Sequence, residues 1–141
     1  MTHKENWLEK QFDFDYPVSR FIEFLDILRA TPSKLAALVE GILPEVLTRR
    51  DADDWSIQEN VGHFLTSESL FTGRLDDYIQ GVEVLRPARF KDNPTDKALF
   101  NKQDVQAVLH DFRQERETYI HRLDALSSDD FGMQALHPRL N

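Results

Sequence analysis

The chain has 141 residues, 40% of them apolar, with 17 basic against 25 acidic side chains, a net charge of −8 and no cysteine. One domain with a real core is the natural reading of that length, and global disorder is excluded. So are disulfides, thiolate catalysis and any cysteine-bearing metal site, while the acidic balance argues against sequence-independent binding of nucleic acid or an anionic membrane surface. No apolar run approaches the roughly 18–20 residues of a membrane helix. The polar start Met1-Thr2-His3-Lys4-Glu5-Asn6 carries no apolar signal region, which predicts a cytoplasmic protein.

Residues 1–17 alternate Phe12, Phe14 and Tyr16 with Asp13 and Asp15 before Pro17, and read as an extended arm packed on a body formed by residues 18–141. Over 18–43 the apolar positions Phe21, Leu25, Leu28, Leu35, Leu38, Val39 and Ile42 fall at helical spacing. Thr31-Pro32 interrupts them with a helix-start signal, so the segment is two helices or one kinked helix, ended by Gly41 and Pro44. Ser56-Ile57-Gln58-Glu59 is a capping box that opens a helix over about 57–79, with Ile57, Val61, Phe64, Phe71, Leu75, Tyr78, Ile79 and Val82 as its apolar side. Residues 83–101 carry Pro87 and Pro94 and no period, and read as a long crossover. Val105, Leu109, Phe112, Arg116, Tyr119, Leu123 and Leu126 then form a heptad seam with one charged member. Residues 135–141 start no further element, so the expected architecture is a helical bundle whose fourth helix is missing from this chain. In that case the 105–126 seam lacks cover and leaves an apolar groove for a partner chain.

Three places can carry chemistry. Glu59 and His63 are four residues apart and share a helix face, so the pair can ligate a metal, or the carboxylate can orient the imidazole. Alternatively, Glu59 only completes the cap and His63 is a polar residue on the flank of the apolar stripe. Gly62 inside a helix costs on the order of 1 kcal/mol against Ala, and so marks close approach of another helix or a ligand. Glu68 and Arg116 both sit where apolar residues belong; either they pair across the bundle or both side chains reach the rim. His110 and His121 fall opposite the seam and should face solvent, His3 lies in the polar start, and His137 precedes Pro138 in a loop. The glycines are isolated, and neither a G-x-S-x-G nor an H-E-x-x-H motif occurs.

Trp55-Ser56-x-x-Glu59-x-x-Gly62-His63 resembles the first metal-ligand motif of the DinB/YfiT-like superfamily. Thr31-Pro32-x-x-Leu35 resembles that family's first-helix signature, and Asn101, the helix with Arg116 and Leu136-His137-Pro138-Arg139 resemble its third helix and the turn beyond. The resemblance spans residues 18–141. It implies an all-α four-helix bundle with a long crossover, and a divalent metal, nickel or zinc, held by three histidines with His63 first. It also implies activity on a small-molecule substrate as a thiol-dependent S-transferase or hydrolase using a low-molecular-weight thiol, and a homodimer. Glu59, Glu68 and Arg116 would be supporting residues. In the family the other two histidines stand on the fourth helix in an H-x-x-x-H motif, and the 141 residues end before such a motif. The competing expectation is a non-catalytic bundle in stress response or protein interaction, with the capping box and Glu68–Arg116 serving only the fold.

Overall fold

The computed structural model describes residues 9–140. Its elements are α1 (Phe21–Val39), α2 (Pro44–Leu47), α3 (Ile57–Gln80), α4 (Pro94–Lys97) and α5 (Val105–Asp124). A 3-10 turn at Val18–Arg20 leads into α1, and others follow α4 at Phe100–Lys102 and α5 at Asp130–Gly132. Among the described residues, three helices exceed one turn, and none is long and apolar enough to cross a membrane. His3 and the first half of the expected arm lie outside the described residues. Further along, Tyr16 packs edge-on against Phe24 of α1 with ring centroids 5.7 Å apart, and Arg20 lies over both rings.

Between the alternatives for 18–43, the structure takes a single helix. Thr31 is not an N-cap; its hydroxyl donates back to Ile27 O at 2.8 Å, the back-bonding that Thr adopts mid-helix. Pro32 lies buried inside α1 and has no N–H for the Leu28 carbonyl one turn below. Arg116 of α5 fills the gap, its Nη1 donating to Leu28 O at 3.0 Å. A tertiary contact invisible to local pattern thus lets the helix run through its breaker.

α3 begins as its sequence predicts. Ser56 Oγ accepts from Glu59 N at 3.1 Å and Glu59 Oε2 accepts from Ser56 N at 2.8 Å, while Gly81 ends the helix in the left-handed region at φ 68°. The buried side of α3 differs from the expected stripe. Ile57, Phe64, Phe71 and Ile79 are exposed, whereas Gln58, Glu59, Gly62, Gly73 and Asp77 are buried beside Val61, Glu68 and Leu75. The crossover explains the rotation: it lies on the small-residue side of α3, with the Phe100 ring on Gly62 and the Arg86 guanidinium on Gly73. A Cβ at Gly62 would stand 2.2 Å from Cδ2 of Phe100, so the glycine's cost is offset by helix–loop contact. The tail also has a place: Leu136 pairs with the crossover, donating to Glu83 O and accepting from Leu85 N, both at 2.9 Å.

α5 runs between α1 and α3 and packs on both. Leu109, Phe112, Arg116 and Leu123 of the heptad seam are buried as the spacing predicts, and Val108 and Ile120 join them because α5 meets two helices instead of one. The expectation of an uncovered seam is therefore corrected. Apolar exposure falls instead on α1 at Phe24, Ile27 and Leu38, and on α3 at Ile57, Phe64 and Phe71. The core has two parts, one around Leu35, Val61, Val108 and Phe112, the other around Leu25, Leu75, Ile120 and Leu123. Between them in helix register sits the Glu68–Arg116 pair, with side chains 1% and 5% exposed and bonds of 2.9 Å (Nε–Oε2) and 2.5 Å (Nη2–Oε1).

Candidate functional site at His63

His63 lies two turns into α3 on the exposed flank of the helix. Three side chains, from α3, α4 and the loop before α3, meet its ring, and Thr66 supports one of them. Trp55, just ahead of the cap, stacks obliquely on it with centroids 5.0 Å apart, and its Nε1–H is anchored on Asp96 Oδ1 at 2.7 Å. Thr95, the second residue of α4, approaches from the crossover with its Oγ1 3.1 Å from His63 Nδ1. Thr95 is 1% exposed and fixed in turn: its backbone N–H donates to Asn93 Oδ1 at 3.0 Å, the N-cap bond of α4. Thr66 lies 2.8 Å from Thr95 Oγ1 and donates to His63 O at 3.2 Å. Ser67 Oγ stands 3.5 Å from Nε2, at the limit of a hydrogen bond. Nε2 is thus the ring nitrogen without a short partner. Partial burial pushes the His63 pKa below the usual imidazole value, which favours the neutral ring. A shallow cleft of about 470 Å³ opens at Trp55, lined also by Asp53, Asp54 and Asn60.

The other residues singled out by the sequence do not gather here. Glu59 does not orient His63. Its carboxylate turns back to the helix start, accepting from Ser56 N and from Arg50 Nε (2.8 Å to Oε2) and Nη2 (2.6 Å to Oε1). The Arg50 guanidinium, with the capping bonds from Ser56, holds the Glu59 carboxyl at a pKa of about 2. Sharing a helix face was the sequence argument for a Glu59–His63 pair; the capping box wins because it binds the carboxylate to a backbone N–H and a guanidinium at once. Glu68 lies five residues on from His63, about 140° round the helix, and with Arg116 belongs to the core. His110 and His121 are exposed on α5, and His137 Nδ1 accepts from Arg139 N and Leu140 N at 3.1 and 3.2 Å. Among the described residues, no group of three or more His, Asp or Glu side chains is placed to hold a metal ion.

Sequence reasoning passed over Thr95, Thr66 and Arg50. Asn93-Pro94 is a helix-start signal that marks α4, but no local pattern says which face of α3 that turn will meet.

No curated protein matches the chain. Among solved structures, YfiT from Bacillus subtilis, described as a probable metal-dependent hydrolase with an unusual four-helix bundle topology, superposes with a TM-score of 0.74 at 18% identity, covering 92% of this chain and 75% of that one. At that identity the likeness establishes the fold. Residues 27–140 match the DinB superfamily, and the chain belongs to it.

Proposed function

We propose that this protein is a metal-dependent DinB-type enzyme in which His63 Nε2 is one ligand of a divalent ion, nickel or zinc. The single observation that carries the reading is the engagement of Nδ1 by Thr95, which leaves Nε2 as the nitrogen available at an open surface. Metal-bound histidines characteristically have their other ring nitrogen tied in this way. The description of YfiT as a probable metal-dependent hydrolase supports the same class. A catalytic divalent ion takes about three protein ligands, so in this reading the remaining ligands come from outside the described residues. When bound, the ion would lower the pKa of a coordinated water or thiol. The substrate is then a small molecule, cleaved by water or transferred to a low-molecular-weight thiol, and the protein works in the cytoplasm as a homodimer.

The test is turnover of a nitrophenyl ester, and of an electrophile with a small thiol, by chelator-treated protein before and after zinc or nickel is restored. Metal-restored turnover that disappears in His63→Ala supports the proposal. Turnover absent with either metal, or equal in His63→Ala, overturns it. A second reading has its own observation. The exposed stripes Phe24, Ile27, Leu38 and Ile57, Phe64, Phe71 suit a bundle that binds another protein. Stable monomers whose sedimentation is unaffected by Phe64→Ser and Phe71→Ser would count against self-association through that face.

A further inference from the structure

We infer that Thr95, supported by Thr66, is a positioning residue that holds neutral His63 as its Nδ1–H tautomer and so reserves the Nε2 lone pair for whatever approaches from the open side. The available hydrogens decide the tautomer. Three contacts close a ring: His63 Nδ1 to Thr95 Oγ1 at 3.1 Å, Thr95 Oγ1 to Thr66 Oγ1 at 2.8 Å, and Thr66 Oγ1 to His63 O at 3.2 Å. Each contact needs one hydrogen, and two hydroxyls supply only two. A carbonyl oxygen only accepts, so Thr66 donates to His63 O. Thr95 must then donate to Thr66, and the third hydrogen comes from Nδ1–H. The reverse tautomer would leave the Thr66–carbonyl contact without a hydrogen.

Burial strengthens the constraint. Thr95 is 1% exposed, so water does not compete for its hydroxyl, and its backbone is pinned by Asn93. A free histidine side chain prefers the Nε2–H form, so Thr95 inverts the intrinsic preference of the ring. Ser67 Oγ, 3.5 Å from Nε2, is placed to donate weakly to the free lone pair. The crossover thereby acquires a task beyond covering Gly62: it carries the group that sets the ring's tautomer. The inference rests on the metal-ligand reading only for the use made of Nε2, since the tautomer belongs to the metal-free protein.

The test is long-range proton–nitrogen correlation NMR on the full, metal-free, nitrogen-15-labelled chain at a mildly alkaline pH where the ring is neutral. The His63 signals are assigned by their loss in His63→Ala. The expected result is a pyrrole-type Nδ1 and a pyridine-type Nε2 for His63. Thr95→Val should return the ring to the Nε2–H form, and Thr95→Ser should keep the wild-type pattern. An Nε2–H tautomer in the wild type overturns the inference without any variant, and so does a Thr95→Val spectrum unchanged at His63. Zinc titration separates the two readings. If zinc binds at His63, Thr95→Val should weaken it by about 10–100-fold, with Thr95→Ser restoring it. An Nδ1–H tautomer with zinc binding equal in His63→Ala leaves the positioning role standing and removes the metal reading.

Discussion

Replacing Arg116 with Leu should be among the most damaging single changes in the chain. The guanidinium makes two bonds to Glu68, whose side chain is 1% exposed, and a third to the Leu28 carbonyl that Pro32 leaves without its helical donor. Removing one partner of a buried pair costs about 3–5 kcal/mol because the other charge is stranded. An unsatisfied buried carbonyl adds about 1–3 kcal/mol. Some relaxation is shared between the two, so the expected loss is about 4–6 kcal/mol, comparable to the whole stability of about 5–15 kcal/mol typical of a domain. Urea unfolding followed by the helix signal in circular dichroism reads this directly. With a urea slope of about 1–3 kcal/mol per molar, the midpoint should fall by roughly 1.3 M or more. Two further variants isolate the causes. Glu68→Leu with Arg116→Leu removes both charges and should recover most of the loss. In a Pro32→Ala background, the restored backbone N–H reaches Leu28 O, so Arg116→Leu should cost about 1–2 kcal/mol less than in the wild type. A single-mutant cost below about 1 kcal/mol, or a double mutant no more stable than Arg116→Leu, would refute the account of this polar layer.

Gly62→Ala should destabilise by about 1–3 kcal/mol although Ala is the better helix former, because the Phe100 ring 2.2 Å from the new Cβ is packed in the core. Gly73→Ala should cost less, since its neighbour is the far end of Arg86, 46% exposed and able to swing out at the expense of its Asp77 bond; parallel thermal melts compare the two. Glu59, held at about 2 against an ordinary 4.5, contributes stability that is present above about pH 4.5 and lost as the pH falls toward 2. Because Arg50 is 43% exposed, solvent screening limits that contribution to at most about 1 kcal/mol. Glu59→Gln should flatten the acid limb of the stability–pH curve measured by urea titration, and an unchanged limb would exclude the Arg50–Glu59 bond as its source.

Local signals read well where the chain satisfies itself locally. The capping box at Ser56 and Glu59 and the Val105–Leu126 periodicity each needed only neighbours in sequence, and the structure contains both. The Glu68–Arg116 pair was legible too, because a charge inside a regular apolar seam must find a partner or leave. Thr31-Pro32 left two alternatives open because the cost of Pro32 is met from α5, 84 residues later, through Arg116 and Leu28 O. The buried side of α3 was displaced for a similar reason: periodicity locates the apolar residues, but the crossover covers Gly62 and Gly73 and leaves Phe64 and Phe71 outside. At the candidate site only His63 and Trp55 were legible. The His63 ring is fixed by Thr95, 32 residues away on a one-turn helix, and no spacing rule connects the two.

The most direct measurement is the metal content of the full-length protein, purified without an affinity tag and loaded with zinc or nickel, by plasma mass spectrometry beside His63→Ala treated identically. The account predicts close to one divalent ion per site in the wild type and loss of that ion in the variant, with the helix content of both unchanged. Equal metal content in the two proteins, or none in either, would contradict the assignment of His63 as a ligand.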